Sequence, residues 1–188
     1  FRRVLFRSLT RDNVQTDSDS ANKCVFRGTF NGGGHTVTFA IGDRPGTQND
    51  NVYRHIYSGL FGIVDGATIQ NVMFDGAIHV KANRGNMYVG AVAARAKGSF
   101  SATGVTVRTT FSHAGERTLY LGGILGEATS GINSISVLNS KFAGIITGNA
   151  SSDNCCIAGM IGRISHANNK ETRSWSFDTI KLGGTVSN

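Results

Sequence analysis

The chain has 188 residues, enough for one domain with a substantial core, and it combines 25 glycines with a single proline and recurrent Val, Ile, Thr and Ser, which favours strands broken by turns. No apolar run approaches the ~18 residues of a membrane span, so no membrane insertion of this segment is expected. The net charge of +7 comes from 19 Lys+Arg against 12 Asp+Glu, but basic residues such as Lys81, Arg84, Arg95, Lys97, Arg108 and Arg117 are dispersed singly, which argues against a nucleic-acid partner.

At the start of the chain, Phe1-Arg2-Arg3-Val4-Leu5-Phe6-Arg7-Ser8 resembles a translated sequencing adapter, and residues 1–8 are set apart from the fold as a scar. A basic secretory n-region fits poorly, because the polar segment Thr10 to Lys23 stands where an apolar h-region belongs, and a native signal peptide is expected upstream. Three of the basic residues lie in this octapeptide, so the remainder carries 16 − 12 = +4. Residues 9–23 read as a polar lead-in, in which Asp17-Ser18-Asp19 lacks the glycine and distal glutamate of a calcium loop. A repeat domain is expected over 24–188.

Within that domain a seven-residue cassette recurs. It reads Ile56-Tyr57-Ser58-Gly59-Leu60-Phe61-Gly62, then Tyr88-Val89-Gly90-Ala91-Val92-Ala93-Ala94, then Tyr120-Leu121-Gly122-Gly123-Ile124-Leu125-Gly126, then Cys156-Ile157-Ala158-Gly159-Met160-Ile161-Gly162. The fourth position falls at 59, 91, 123 and 159, in steps of 32, 32 and 36 residues. The second column is apolar (Tyr57, Val89, Leu121, Ile157), the third and fourth are small, and the fifth is aliphatic or Met (Leu60, Val92, Ile124, Met160). Stacked rungs of a parallel solenoid require such columns, because like sits on like about 4.8 Å above. The two apolar columns are separated by the small pair, so a bend or bulge is expected there. A second strand-like run follows each cassette, over Ala67 to Ile78, Phe100 to Phe111, Ile132 to Ile146 and Trp175 to Val186. The expected fold is therefore all-β, a right-handed parallel β-helix with repeats of about 32–36 residues. A β-sandwich, which also has many short strands, is the alternative, and it leaves the regular step unexplained.

The runs Phe26-Arg27-Gly28-Thr29-Phe30-Asn31-Gly32-Gly33-Gly34-His35-Thr36-Val37, Ser58-Gly59-Leu60-Phe61-Gly62 and Gly66-Ala67-Thr68-Ile69-Gln70-Asn71-Val72 resemble, in order, the motifs of bacterial GLUG-repeat proteins. The resemblance spans residues 24 to about 186. Asn31 departs from the family's usual Asp, Gly33 from its Asn, and Ala91, Ala93 and Ala94 degrade one cassette. The resemblance implies a β-helix on a large secreted or surface-anchored protein, often adhesin-like or appended to a protease, with an extracellular or cell-surface location. It supplies no catalytic residues. The function expected is a non-catalytic spacer and adhesive scaffold that presents ligands, with carbohydrate or a host surface protein as partner. A fragment of a carbohydrate-active β-helix enzyme and the non-catalytic repeat region of a secreted protease are the alternatives.

The residue types are consistent with that expectation. The acids, among them Asp65, Asp75, Glu116 and Glu127, recur at no common repeat position, and Asp65 and Asp75 sit beside turn glycines as turn formers do. His79 and His113 follow equivalent strands and are candidates to lie near one another, without a third metal ligand. Cys24, Cys155 and Cys156 form no disulfide framework or metal spacing, and Gly32-Gly33-Gly34 precedes a strand instead of the helix a phosphate loop needs. No catalytic, cofactor-binding or metal-binding residues are therefore assigned, and no cofactor. The candidate ligand-contact residues are Tyr88 and Tyr120, placed one above the other on the outer face; lateral packing under a loop is the alternative. The polar excursions Gly42 to Arg54 and His166 to Ser174 are equally suited to binding. The chain stops in the strand-like run Ile180 to Asn188, so the repeat domain is expected to be truncated there, to stack on flanking repeats of its own chain, and to self-associate through the open end.

Overall fold

The computed structural model describes residues 14–15, 25–42, 55–82, 85–115, 118–150, 155–165, 174–178, 181–182 and 185–186. The octapeptide 1–8, Cys24, most of the lead-in and the excursions 43–54 and 166–173 lie outside those residues. The protein is an all-β, right-handed parallel β-helix of about three turns. A first partial turn holds β1 (Val14–Gln15), β2 (Val25–Asn31) and β3 (Thr36–Ile41). The turns that follow comprise β4 (His55–Ser58) with β5 (Phe61–Ala82), then β6 (Met87–Gly90) with β7 (Ala93–Val107) and β8 (Thr110–Gly115), then β9 (Leu119–Gly122) with β10 (Leu125–Leu138), β11 (Lys141–Phe142) and β12 (Ile145–Ala150). A last partial turn holds β13 (Cys156–Ala158), β14 (Ile161–Ile164), β15 (Ser174–Asp178), β16 (Lys181–Leu182) and β17 (Thr185–Val186).

The short strands β4, β6, β9 and β13 stack in parallel as one sheet, and β1 pairs antiparallel with the free edge of β4. All other strands wrap around as a second parallel sheet, those of the middle turns pairing with the turns before and after, and those of the two partial turns with the one turn beside them. Inward positions line up as columns: Val64, Ala96 and Ala128; Ile69, Ala102 and Val137; Phe74, Val107 and Phe142; Ile78, Phe111 and Ile146. These side chains are fully buried or nearly so. Adjacent columns trade volume so that each layer fills the same space: Ala67 lies beside Ile69 in one turn, and Phe100 beside Ala102 in the next. Most ends of the second run match the sequence reading, since Ala67 pairs with Phe100, Ile78 with Phe111, and Ile146 with Val186. The third run starts three residues later than expected: Ile135, not Ile132, pairs with Phe100 and Trp175, because β10 is bulged between Ala128 and Ser134.

One corner of each turn is made by a residue in the left-handed region. Asn71 (φ 51°), Gly104 (φ 64°) and Asn139 (φ 48°) follow directly on the paired residues Gln70, Thr103 and Leu138 and so form one column. Asn and Gly adopt this conformation at the least steric cost, which accounts for the residue types.

The expected bends lie at residues 59–60, 91–92, 123–124 and 159–160. Leu60, Val92, Ile124 and Met160 all occupy the main core, each one residue ahead of the matched positions Phe61, Ala93, Leu125 and Ile161. The column before the bend differs from the cassette alignment, which sets Ile56 level with Tyr88: the observed partners are Ile56 with Met87, Tyr57 with Tyr88, and Ser58 with Val89. Two residues separate Ser58 from Phe61 whereas three separate Val89 from Ala93, so the first bend is one residue shorter. A one-residue slip moves every side chain of a strand to the opposite face. The inward column is therefore Ser58, Val89, Leu121 and Ile157, and Tyr57 joins the outer column.

Candidate functional site

The outer column that results is Tyr57, Tyr88, Tyr120 and Cys156. Met87 and Val89 flank Tyr88 on its strand and belong to the main core, so the tyrosine projects to the other side. The rings of Tyr57 and Tyr88 are stacked with centroids 4.9 Å apart and planes 7° apart, and Tyr88 and Tyr120 are 5.4 Å apart. Tyr88 and Tyr120 thus lie one above the other, but they are only 5 % and 8 % exposed. Together with Tyr57, Ile63 and Ala94 they form a second, smaller apolar cluster outside the main core.

This outer cluster forms because the bend is sharp enough to bring the second strand of each turn against the first. A Cβ on Gly122 would lie 2.1 Å from the carbonyl oxygen of Leu125, and one on Gly126 would lie 2.6 Å from the amide nitrogen of Val89. Side chains at these positions would force the strands apart, which explains the small residues that recur at the bend.

Next to the tyrosines runs a column of Ile63, Arg95, Glu127 and Arg163, paired position by position on β5, β7, β10 and β14. The Glu127 carboxylate, 4 % exposed, lies between two guanidinium groups, with Arg95 Nε 2.9 Å from Oε2 and Arg163 Nε 3.9 Å from Oε1. The 2.9 Å approach is an ion pair without hydrogen-bond alignment. Ser165 Oγ donates to Glu127 Oε1 at 3.1 Å. Both arginines also engage the tyrosines. Arg95 lies 5.0 Å from the Tyr88 ring centroid and donates to Tyr57 Oη at 3.3 Å, while Arg163 lies 4.6 Å from the Tyr120 centroid and donates to its hydroxyl. Burial pushes the Tyr88 hydroxyl above its ordinary pKa, against the opposing hydrogen bond from Asn86. Burial works against the Arg95 charge, yet Glu127, with Tyr57 and Tyr88, holds its pKa above the ordinary arginine value. Chemically, this arrangement is a clamp: charge of alternating sign and stacked cation–π contacts cross-link successive turns from outside.

The clamp is not among the features expected from the sequence, although a signal for it is present there. Residues 63, 95, 127 and 163 each lie four positions after the cassette's fourth residue, and the signs along that column alternate +, −, + from Arg95 to Arg163. Other candidates are placed apart from it. Asp65 pairs with Arg27 at 3.0 Å on the surface, the two side chains being 33 % and 56 % exposed. His79 and His113 are not brought together. Val80 is the partner of His113, whereas His79 pairs with Ser112 and shares a 2.7 Å hydrogen bond with its hydroxyl. That single-residue offset leaves His79 exposed and turns His113 inward. Cys155, just before β13, packs on the main core and Cys156, its first residue, on the tyrosine cluster, each half-buried. Among the described residues no three His, Cys, Asp or Glu side chains gather as a metal site, and no helix is long and apolar enough to cross a membrane. No protein-family model, curated protein or solved structure matches the chain.

Proposed function

We propose that this chain is a non-catalytic repeat module of a bacterial surface or secreted protein, a rigid spacer that carries ligand-presenting turns outward. The observation that supports the reading best is the continuity of its columns. The interior ladders and the outer Tyr57–Tyr88–Tyr120 ladder with its Arg95–Glu127–Arg163 clamp both run from turn to turn, so the stack is braced on two sides. Such bracing resists bending and suits a scaffold that sets distance, with each added turn contributing about 4.8 Å of length. The GLUG-type motifs quoted above favour the same setting. Contact with carbohydrate or a host protein falls to exposed turns, because the faces of the stacked tyrosines are occupied by one another and by guanidinium groups.

The experiment is to incubate the chain with pectin, alginate, glycosaminoglycan and peptide substrates and to measure turnover against a heat-treated control. The expected result is none above control. Reproducible cleavage of a polysaccharide that disappears in Glu127→Gln, in a variant shown to remain folded, would overturn the reading in favour of a carbohydrate-active enzyme, and cleavage of a peptide would overturn it in favour of a peptidase.

A further inference from the structure

Among the described residues three buried polar side chains, Ser58, Thr109 and His113, have no hydrogen-bond partner, and His113 is the one that titrates. His113 is 3 % exposed, and neither ring nitrogen has a hydrogen bond to any described residue. It occupies an inward column between Val80 of β5 and Gly148 of β12. A Cβ on Gly148 would lie 2.4 Å from His113 Cδ2, so the imidazole fills the room that the missing side chain leaves. Among the described residues β5 and β12 are the strands that pair with β8. On the inner side of this wall they offer Ile78, Val80 and Ile146, and β8 itself offers Phe111, none of which titrates. The titratable groups nearby on β5, His79 and Lys81, sit at alternate positions and are exposed, so they face the other way.

We infer that His113 is an acid-sensitive latch: protonation of its ring loosens the wall formed by residues 77–82, 110–115 and 145–150 while the remaining turns stay folded. A neutral imidazole is tolerated in this column, whereas a charged one meets no counterion among the described residues and must be hydrated, which requires the wall to open. Burial lowers the His113 pKa from the ordinary 6.5. The opened chain therefore binds its proton first as pH falls. Stability of the wall is fully present above about pH 6.5 and declines as pH drops from there towards the lowered value in the folded protein.

The test is an NMR titration of the His113 ring in the full chain, with amide hydrogen exchange at about pH 7.5 and about pH 5.0 and the same exchange in His113→Phe. The ring is expected to titrate below 6.5. Amides of 77–82, 110–115 and 145–150 should lose protection by about ten-fold or more at the lower pH after correction for intrinsic rates, those of 125–129 should not, and His113→Phe should abolish the difference. A ring that titrates at or above 6.5, wall amides equally protected at both pH values, or an unchanged acid response in the variant would each overturn the inference. The two wild-type measurements decide the matter even where the variant fails to fold.

Discussion

At the scale of single residues, burial separates two ion pairs that look alike in sequence. Asp65 and Arg27 meet in water, where screening and side-chain entropy consume most of the attraction, so Asp65→Ala should cost below about 1 kcal/mol. Glu127 is buried between Arg95 and Arg163, with side-chain exposures of 4 %, 24 % and 42 %. Its loss leaves the Arg95 charge largely desolvated beside the Tyr57 and Tyr88 rings, so Glu127→Ala should cost about 2–3 kcal/mol, short of a fully buried pair because both arginines keep some contact with water. Urea denaturation of the two variants measures the contrast, and equal losses would show that the clamp does not brace the turns.

At the scale of elements, the strands owe their parallel stacking to the corners between them as much as to their own residues. β5 runs from Phe61 to Ala82 because its turns are made without leaving the ladder, one of them by Asn71 at φ 51°. The side chain of Asn71 is exposed, so its contribution to stability is conformational and not one of packing. Asn71→Ala should lose about 1 kcal/mol, since alanine carries the full left-handed penalty, while Asn71→Gly should change stability by less than about 0.5 kcal/mol. A shift in urea midpoint for the glycine variant as large as for the alanine variant would mean that the Asn71 amide holds the corner instead.

At the scale of the whole molecule, the turn is the unit of folding. Met87 pairs with Leu119, so deleting residues 87–118 removes one complete turn and sets β9 on β4 with every column in phase. That chain should fold with a β-rich circular dichroism spectrum and a cooperative urea transition of smaller slope and lower midpoint. Deleting residues 87–102 instead breaks the columns, and that chain should show no cooperative transition. If both deletions behave alike, the turns are not the interchangeable layers described here.

Sequence alone settled the features that depend on a column repeating. The steps between 59, 91, 123 and 159 mark the stacked bends, and the apolar spacing places Ala67 under Phe100 and Ile78 under Phe111, because a parallel stack sets like residues over like. Only the tertiary structure decided what depends on a single residue of register or on how far the chain turns at a bend. The shorter first bend put Tyr57 over Tyr88, and the crowded glycines folded the second strands against the tyrosines. Arg95, Glu127 and Arg163 then closed over them, and His113 turned inward while His79 stayed in water. Periodicity is blind to these outcomes, because a slip of one residue exchanges the two faces of a strand while leaving the spacing of its repeats almost unchanged.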